Sequence, residues 1–501
     1  MNNELKKNID YILECLGVAD KYEHACHVLN FDMETICPEK SMEEQGEIMA
    51  FLSNKAFQVI KEDAFIQAEK YVFDHMDQLD GFEKVMAETL KRDYDKTKNM
   101  TSDFNHRITL ARNKAFVNWM SAKKEKDFSK FQDSLGQVVE LQKQEMELRE
   151  DDLSIYDRIL SDYDRGMTVE KIDEAFDSCK ERLIPLLKEI MASQKEIRTD
   201  FLTRKVTEEA QKEMATYLLE TIGFDFTRGN FSTTEHPFTD TMGKNDTRIT
   251  TNYENPDITA NLYTVVHEGG HALFDMNQPR ENFKWFITEN KTMGQHESVS
   301  RFYENRIGRS RGFIHYIYPK MKEILKDALY DVTEEEFYAA VNRVQPDLIR
   351  TEADEFTYTF HVIIRYEVEK AVASGQIGLQ QIPQLWADKY EEYLGVRPAD
   401  DAEGCLQDVH WTQGFGYFPS YALGNMYNAM YYNTMEGDFD IEKAASEGDF
   451  EKINGWMIDH VFAKADRLDS AQWIEDITGR EFTADDFLDY IEEKYRRIYG
   501  I

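Results

Sequence analysis

Cysteine is scarce. Cys15, Cys26, Cys37, Cys179 and Cys405 are the only five in 501 residues, an odd number with no Cys-x-x-Cys pair. That excludes a disulfide framework and a thiolate zinc site, and it fits a reducing compartment. Proline (10) and glycine (25) are sparse and strand-like alternation is rare, which argues for a mainly α protein with few turns. Basic residues are in deficit: 59 Lys and Arg stand against 95 Asp and Glu, for a formal net charge of -36. Such a chain repels phosphate backbones and anionic lipid, so neither nucleic acid nor a membrane surface is an expected partner. No apolar run approaches membrane-spanning length. The opening "MNNELKKNIDYILECLG" reads as an amphipathic helix with charges throughout, not a signal peptide. A soluble, cytoplasmic protein is expected.

What is present is helical texture. Through the first 220 residues or so, stretches such as "EKYVFDHMDQLDGFEKVMAETLKRDYDKTKNM" place apolar residues at helical spacing opposite a charged face. No repeat, low-complexity tract or long linker interrupts the chain, so residues 1–501 are expected to form one large helical unit. The texture changes between Gly223 and Tyr253, where Thr, Asn, Gly and aromatics predict turns with one or two short strands. "DTRITTNY" is the best strand candidate, with Arg248, Thr250 and Asn252 on one face and Ile249 and Thr251 on the other. A helix is predicted next, with Pro256 in its first turn and Asp257 near its positive end.

That helix carries "VVHEGGHALF", residues 265–274. His267 and His271 are four apart and share one face, so both imidazoles can point at one ion. Glu268 follows the first of them and can reach water on that ion, the arrangement of a zinc peptidase helix. Gly269 and Gly270 each cost a helix about 1 kcal/mol relative to Ala. Close approach of another backbone, of a substrate, or of a tightly packed helix explains them. Downstream, "GQHESVSRFYENRIGRS" offers Glu297 as a third ligand, with Glu289 and Glu304 next in line. Two His and one Glu leave a coordination position open, as a catalytic rather than structural zinc requires. His296 points about 100° away from its neighbour Glu297 and is given no ligand role.

"HEGGHALF" followed by "HESVSR" resembles the carboxypeptidase Taq family of metallocarboxypeptidases. "HPF" at His236–Phe238, "DTRIT" at Asp246–Thr250, "IRTEAD" at Ile349–Asp354 and "GCLQDVHW" at Gly404–Trp411 follow the same family in order. "FDMETICPEKS" resembles its Trp-Asp-x-x-Thr-x-Met-Pro-Pro-Gly segment but departs at Phe31, Cys37 and after Pro38. The resemblance spans nearly the whole chain. It implies a helical enzyme with a deep groove, removal of residues from peptide C-termini, zinc with cobalt also accepted, and a homodimer.

A carboxypeptidase must grip a free terminal carboxylate, and the planar fork of arginine suits it. Arg248 and Arg350 are the candidates, although Asp354, four residues after Arg350, could pair with it locally. The resemblance adds His236 and the Asp-x-Arg-x-Thr segment as the closed end of the groove. His410 and Tyr421 can donate to the carbonyl oxygen as negative charge develops there, a pairing that related zinc peptidases use. Gln407 and Asp408 could orient these groups or a metal-bound histidine. The rival readings are an endopeptidase or dipeptidase with the same metal chemistry, and a non-catalytic helical interaction protein with a vestigial metal site.

Overall fold

The computed structural model describes residues 2–288, 292–464 and 467–501. The chain is mainly α with one small sheet, as the composition predicts. Six helices build or support the site: α1 (Asn3–Thr35), α2 (Glu208–Ile222), α3 (Ile258–Met276), α4 (Met293–Arg301), α5 (Tyr358–Ala373) and α6 (Pro419–Asp438). Among the described residues no helix is long and apolar enough to cross a membrane.

The region of changed texture folds into three strands, one more than expected: β1 (Gly229–Thr233), β2 (Thr239–Gly243) and β3 (Asp246–Thr251). β3 is central, parallel to β1 and antiparallel to β2. Burial alternates from Asp246 to Ile249, with Ile249 fully buried and Arg248 half-buried, and then stops, because Thr250 is buried as fully as Thr251. Thr250 ties the β2 entry to β3: its backbone N–H donates to Phe238 O at 2.9 Å, and its hydroxyl accepts from Phe238 N at 2.9 Å. α1 lies along β2, where His27 Nδ1 meets Asp240 at 2.9 Å and Phe31 meets Phe238 edge to face.

α3 follows the sheet and is buried along almost its whole length. Asp257 is its N-cap, accepting from Thr259 N at 2.8 Å. Pro256 therefore lies ahead of the helix rather than in its first turn, because Asp257 caps it by accepting the N–H of its second residue while Ile258 N donates to Leu202 O. The tandem glycines answer to packing. A Cβ on Gly269 would sit 2.6 Å from Ile222 Cδ1 of α2, and one on Gly270 would sit 2.8 Å from Ser300 Cα of α4. The same device recurs on α6, where a Cβ on Gly424 would lie 3.0 Å from Ser298 N and 3.1 Å from Glu297 Cγ. Two glycines thus let α3 and α6 press against the short α4, fixing the element that carries Glu297. A large apolar core surrounds these helices, and a second apolar cluster joins Leu5, Ile9 and Ile12 of α1 to Phe65, Val72, Met86 and Ile287.

Candidate active site

α3 and α4 bring His267, His271 and Glu297 together, with their ligand atoms all within 4.8 Å of one another. His267 Nε2 lies 3.7 Å and His271 Nε2 3.5 Å from Glu297 Oε2. Tetrahedral bonds of about 2.0–2.1 Å would set donor atoms about 3.4 Å apart, so the spacing fits a divalent ion with a nitrogen–nitrogen–oxygen donor set. Each of the three side chains is held by its neighbours. His267 Nδ1–H donates to Glu304 Oε2 at 2.9 Å, which fixes the tautomer that leaves Nε2 free to ligate. His271 stacks on His296 with ring centres 4.3 Å apart, and His296 Nε2 reaches Asp275 Oδ1 at 3.2 Å. Arg301 Nε donates to Glu297 Oε1 at 2.7 Å, leaving Oε2 toward the histidines.

The electrostatics follow from burial and this pairing. Burial opposes ionisation of Glu297, but Arg301 and the two imidazoles outweigh it and hold the carboxyl well below the carboxylate range. Glu304 behaves likewise: burial is overcome by Arg301, His267 and Arg309, which bring it down to about 2. Both carboxylates are therefore charged at neutral pH. Glu268, next to His267, is buried, and its Oε2 accepts from the Thr239 hydroxyl at 2.6 Å.

A second cluster joins this one through an aromatic ring. Arg350 makes a two-pronged pair with Asp408 (Nε–Oδ2 3.0 Å, Nη2–Oδ1 2.9 Å), and its Nη1 donates to the Tyr358 hydroxyl at 3.0 Å. Arg301 lies 4.2 Å over the ring of that same Tyr358, so Glu297, Arg301, Tyr358 and Arg350 form one contiguous series. Tyr421 packs its ring 4.8 Å from the Arg350 guanidinium, and its hydroxyl lies 3.4 Å from His410 Nε2. His410 Nδ1 is 3.6 Å from Asp408 Oδ1. Burial lowers the His410 pKa despite that acid, and burial raises the Tyr421 hydroxyl. At neutral pH both are uncharged, and either can donate a hydrogen bond.

The description "carboxypeptidase Taq (M32) metallopeptidase" matches residues 12–495. This chain belongs to that family. It is 35% identical over 480 residues to carboxypeptidase 1 of Bacillus subtilis, covering 95% of this chain and 96% of that one. Thermostable carboxypeptidase 1 of Pyrococcus furiosus is 31% identical over 476 residues, 94% and 95% of the two chains. The crystal structure of the family's carboxypeptidase from Deinococcus radiodurans superposes with a TM-score of 0.94 at 29% identity, covering 100% of both chains. Membership makes the protein a metallocarboxypeptidase, a peptide hydrolase that depends on a divalent metal.

The structure of this metallocarboxypeptidase places the remaining sequence candidates. Arg248 on β3 is forked to Asp246 (Nε–Oδ1 2.9 Å, Nη2–Oδ2 2.8 Å) and covers Phe31. His236 is exposed, in the bend between β1 and β2. Arg350 does not pair with Asp354. Residues Arg350–Glu352 form a single 3-10 turn and Ala353 is extended, so the i,i+4 geometry of a helix is absent. Asp354 instead accepts from Gln345 N and Thr357 N. Gln407 accepts from Arg350 N and Asp408 takes its side chain, so these two residues brace Arg350 first. His267 is oriented by Glu304, which the sequence offers as an alternative ligand. Glu289, the other alternative, lies outside the described residues. The partners missed from sequence are Arg301, Tyr358, Thr239 and Asp275. Arg301 and Glu304 had a readable signal, since Glu297, Arg301 and Glu304 repeat at i, i+4 and i+7 along one face.

Proposed function

We propose that the enzyme releases C-terminal residues from peptides with zinc, or cobalt, held by His267, His271 and Glu297. The observation that carries this reading is the meeting of those three donors within 4.8 Å, with a buried carboxylate, Glu268, on the helix of the two histidines. A bound divalent ion supplies a Lewis acid that polarises the scissile carbonyl and acidifies water. Glu268 accepts the proton of the attacking water and passes it to the leaving amine. His410 and Tyr421, both neutral, donate to the carbonyl oxygen as it gains negative charge. Arg350 meets the substrate's terminal carboxylate with the hydrogens on Nη1 and Nη2 that Asp408 and Tyr358 do not take. Arg248, which covers the Phe31 ring, and the exposed His236 are assigned to the closed end of the groove. The chain acts as one unit, as a homodimer in the cytoplasm. The free cysteines support the compartment, and the family resemblance supports the dimer. A blocked short peptide, offered with a free and an amidated C-terminus and with and without chelator, tests the reading. The free peptide should lose its last residue, the amide should be poor, and chelator should stop both. Equal cleavage of the amide would favour an endopeptidase.

A further inference from the structure

Strand β2 presents alternate residues to opposite sides. Asp240 and the Met242 carbonyl face α1, where His27 and His24 meet them at 2.9 and 2.6 Å. Thr239 and Thr241 face α3. There the Thr239 hydroxyl lies 2.6 Å from Glu268 Oε2 and 3.0 Å from the Glu268 carbonyl, and the Thr241 hydroxyl lies 2.7 Å from Asp275 Oδ2. Glu268 and Asp275 are seven residues apart, so they share one helix face two turns apart. The two threonines therefore meet the two acids of that face. Through Asp275 and His296 the second contact also reaches the ring stacked on His271.

We propose that Thr239 is a positioning residue for the general base: its hydroxyl fixes one oxygen of the Glu268 carboxylate so that the other faces the attacking water. The inference rests on Glu268 being the base. A glutamate in a helix has three rotatable bonds, and a base must stand within hydrogen-bond reach of the proton it takes. Glu268 is buried, and the Thr239 hydroxyl is the side-chain donor that meets its carboxylate among the described residues. A hydroxyl on a strand, with stiff χ1, is a more rigid anchor than another long side chain. Thr239 itself is pinned by the sheet, opposite Ile249 in the β2–β3 register and next to Phe238, which Thr250 holds.

The test compares Thr239→Val, which keeps the shape and loses the hydroxyl, with Thr239→Ser, which keeps the hydroxyl. Partners that orient groups around a metal typically contribute about 10–100-fold. Thr239→Val should lower kcat by that factor and leave KM within about twofold. Zinc stoichiometry and affinity, measured by titrating the metal-free protein, should match wild type. Thr239→Ser should recover most of the rate. In a Glu268→Gln background, Thr239→Val should cause no further loss, because the carboxylate it positions is gone. An unchanged kcat in Thr239→Val overturns the proposal. So does a Ser variant as slow as the Val variant, which would make the role one of packing, or a loss carried by weakened metal binding. A Glu268→Gln enzyme with near-wild-type turnover would instead overturn the base assignment on which the proposal stands.

Discussion

Replacing Glu304 by Gln should weaken the metal site without removing a ligand. The carboxylate touches His267 Nδ1 at 2.9 Å, Arg301 Nη1 at 3.1 Å and Arg309 Nη2 at 3.6 Å. These partners, net of burial, bring its pKa from the ordinary 4.5 to about 2. At about 1.4 kcal/mol per pKa unit, the fold favours the charged form by on the order of 3 kcal/mol. Arg301 and His267 both favour that charge, His267 through a hydrogen bond as well as by attraction. An acid that orients and polarises a metal-binding histidine typically contributes about 10–100-fold in metal affinity. Glutamine keeps the volume and offers a carbonyl to Nδ1–H, but it no longer makes the imidazole more basic. Competition between the metal-free protein and a chelator, with zinc as the probe, reads the affinity directly. Wild-type zinc affinity in Glu304→Gln would refute the argument that the acid behind His267 tunes the ligand. Loss of folded protein would instead point to Arg301 and Arg309 as the groups that needed it.

How much of this was legible in the sequence depends on the range of each interaction. His267 and His271 were readable because a helix puts residues four apart on one face, and Glu268 because it directly follows the first of them. Glu297 was readable only in company with them, since nothing in "HES" itself says that α4 turns toward α3. The packing that brings it there is recorded in Gly270 and Gly424, but a glycine does not name the surface it approaches. The partner of Arg350 was missed for a related reason. The local acid, Asp354, looked suitable on a helix, whereas the backbone there turns once and extends, and Asp408 arrives from 58 residues away. Thr239 and Asp275 carried no signal at all: a threonine in a strand and an aspartate late in a helix are ordinary until the sheet is docked on α3. The general fold was the easier part, because long helices announce themselves by period, while a three-stranded sheet of five or six residues per strand barely establishes one.

Glu268→Gln should keep its metal and lose turnover by about 10²–10⁴-fold; metal content and rate measured on one sample check it, and near-normal activity with bound metal removes Glu268 as the base. Acid should destabilise the metal-free protein through Glu304. Its folded pKa lies below the unfolded value, so its contribution is present above about pH 4.5 and is lost as the pH falls toward 2. The thermal midpoint of wild type should therefore drop more between pH 5 and pH 3 than that of Glu304→Gln, and equal drops would refute the assignment. The last prediction concerns Arg350 and the direction of attack. A charge-assisted hydrogen bond contributes about 1.5–3 kcal/mol, so wild type should prefer a free over an amidated C-terminus by roughly ten- to a hundredfold in kcat/KM. Arg350→Ala also leaves Asp408 buried without its partner, and breaking such a pair damages the fold by about 3–5 kcal/mol. A simple loss of activity would therefore prove nothing. The ratio of free to amidated substrate within each variant cancels that damage, because both peptides meet the same altered protein. If Arg350 grips the carboxylate, the ratio collapses in Arg350→Ala; if it survives unchanged, Arg350 braces Asp408 and His410 only, and Arg248 becomes the arginine to test in the same way.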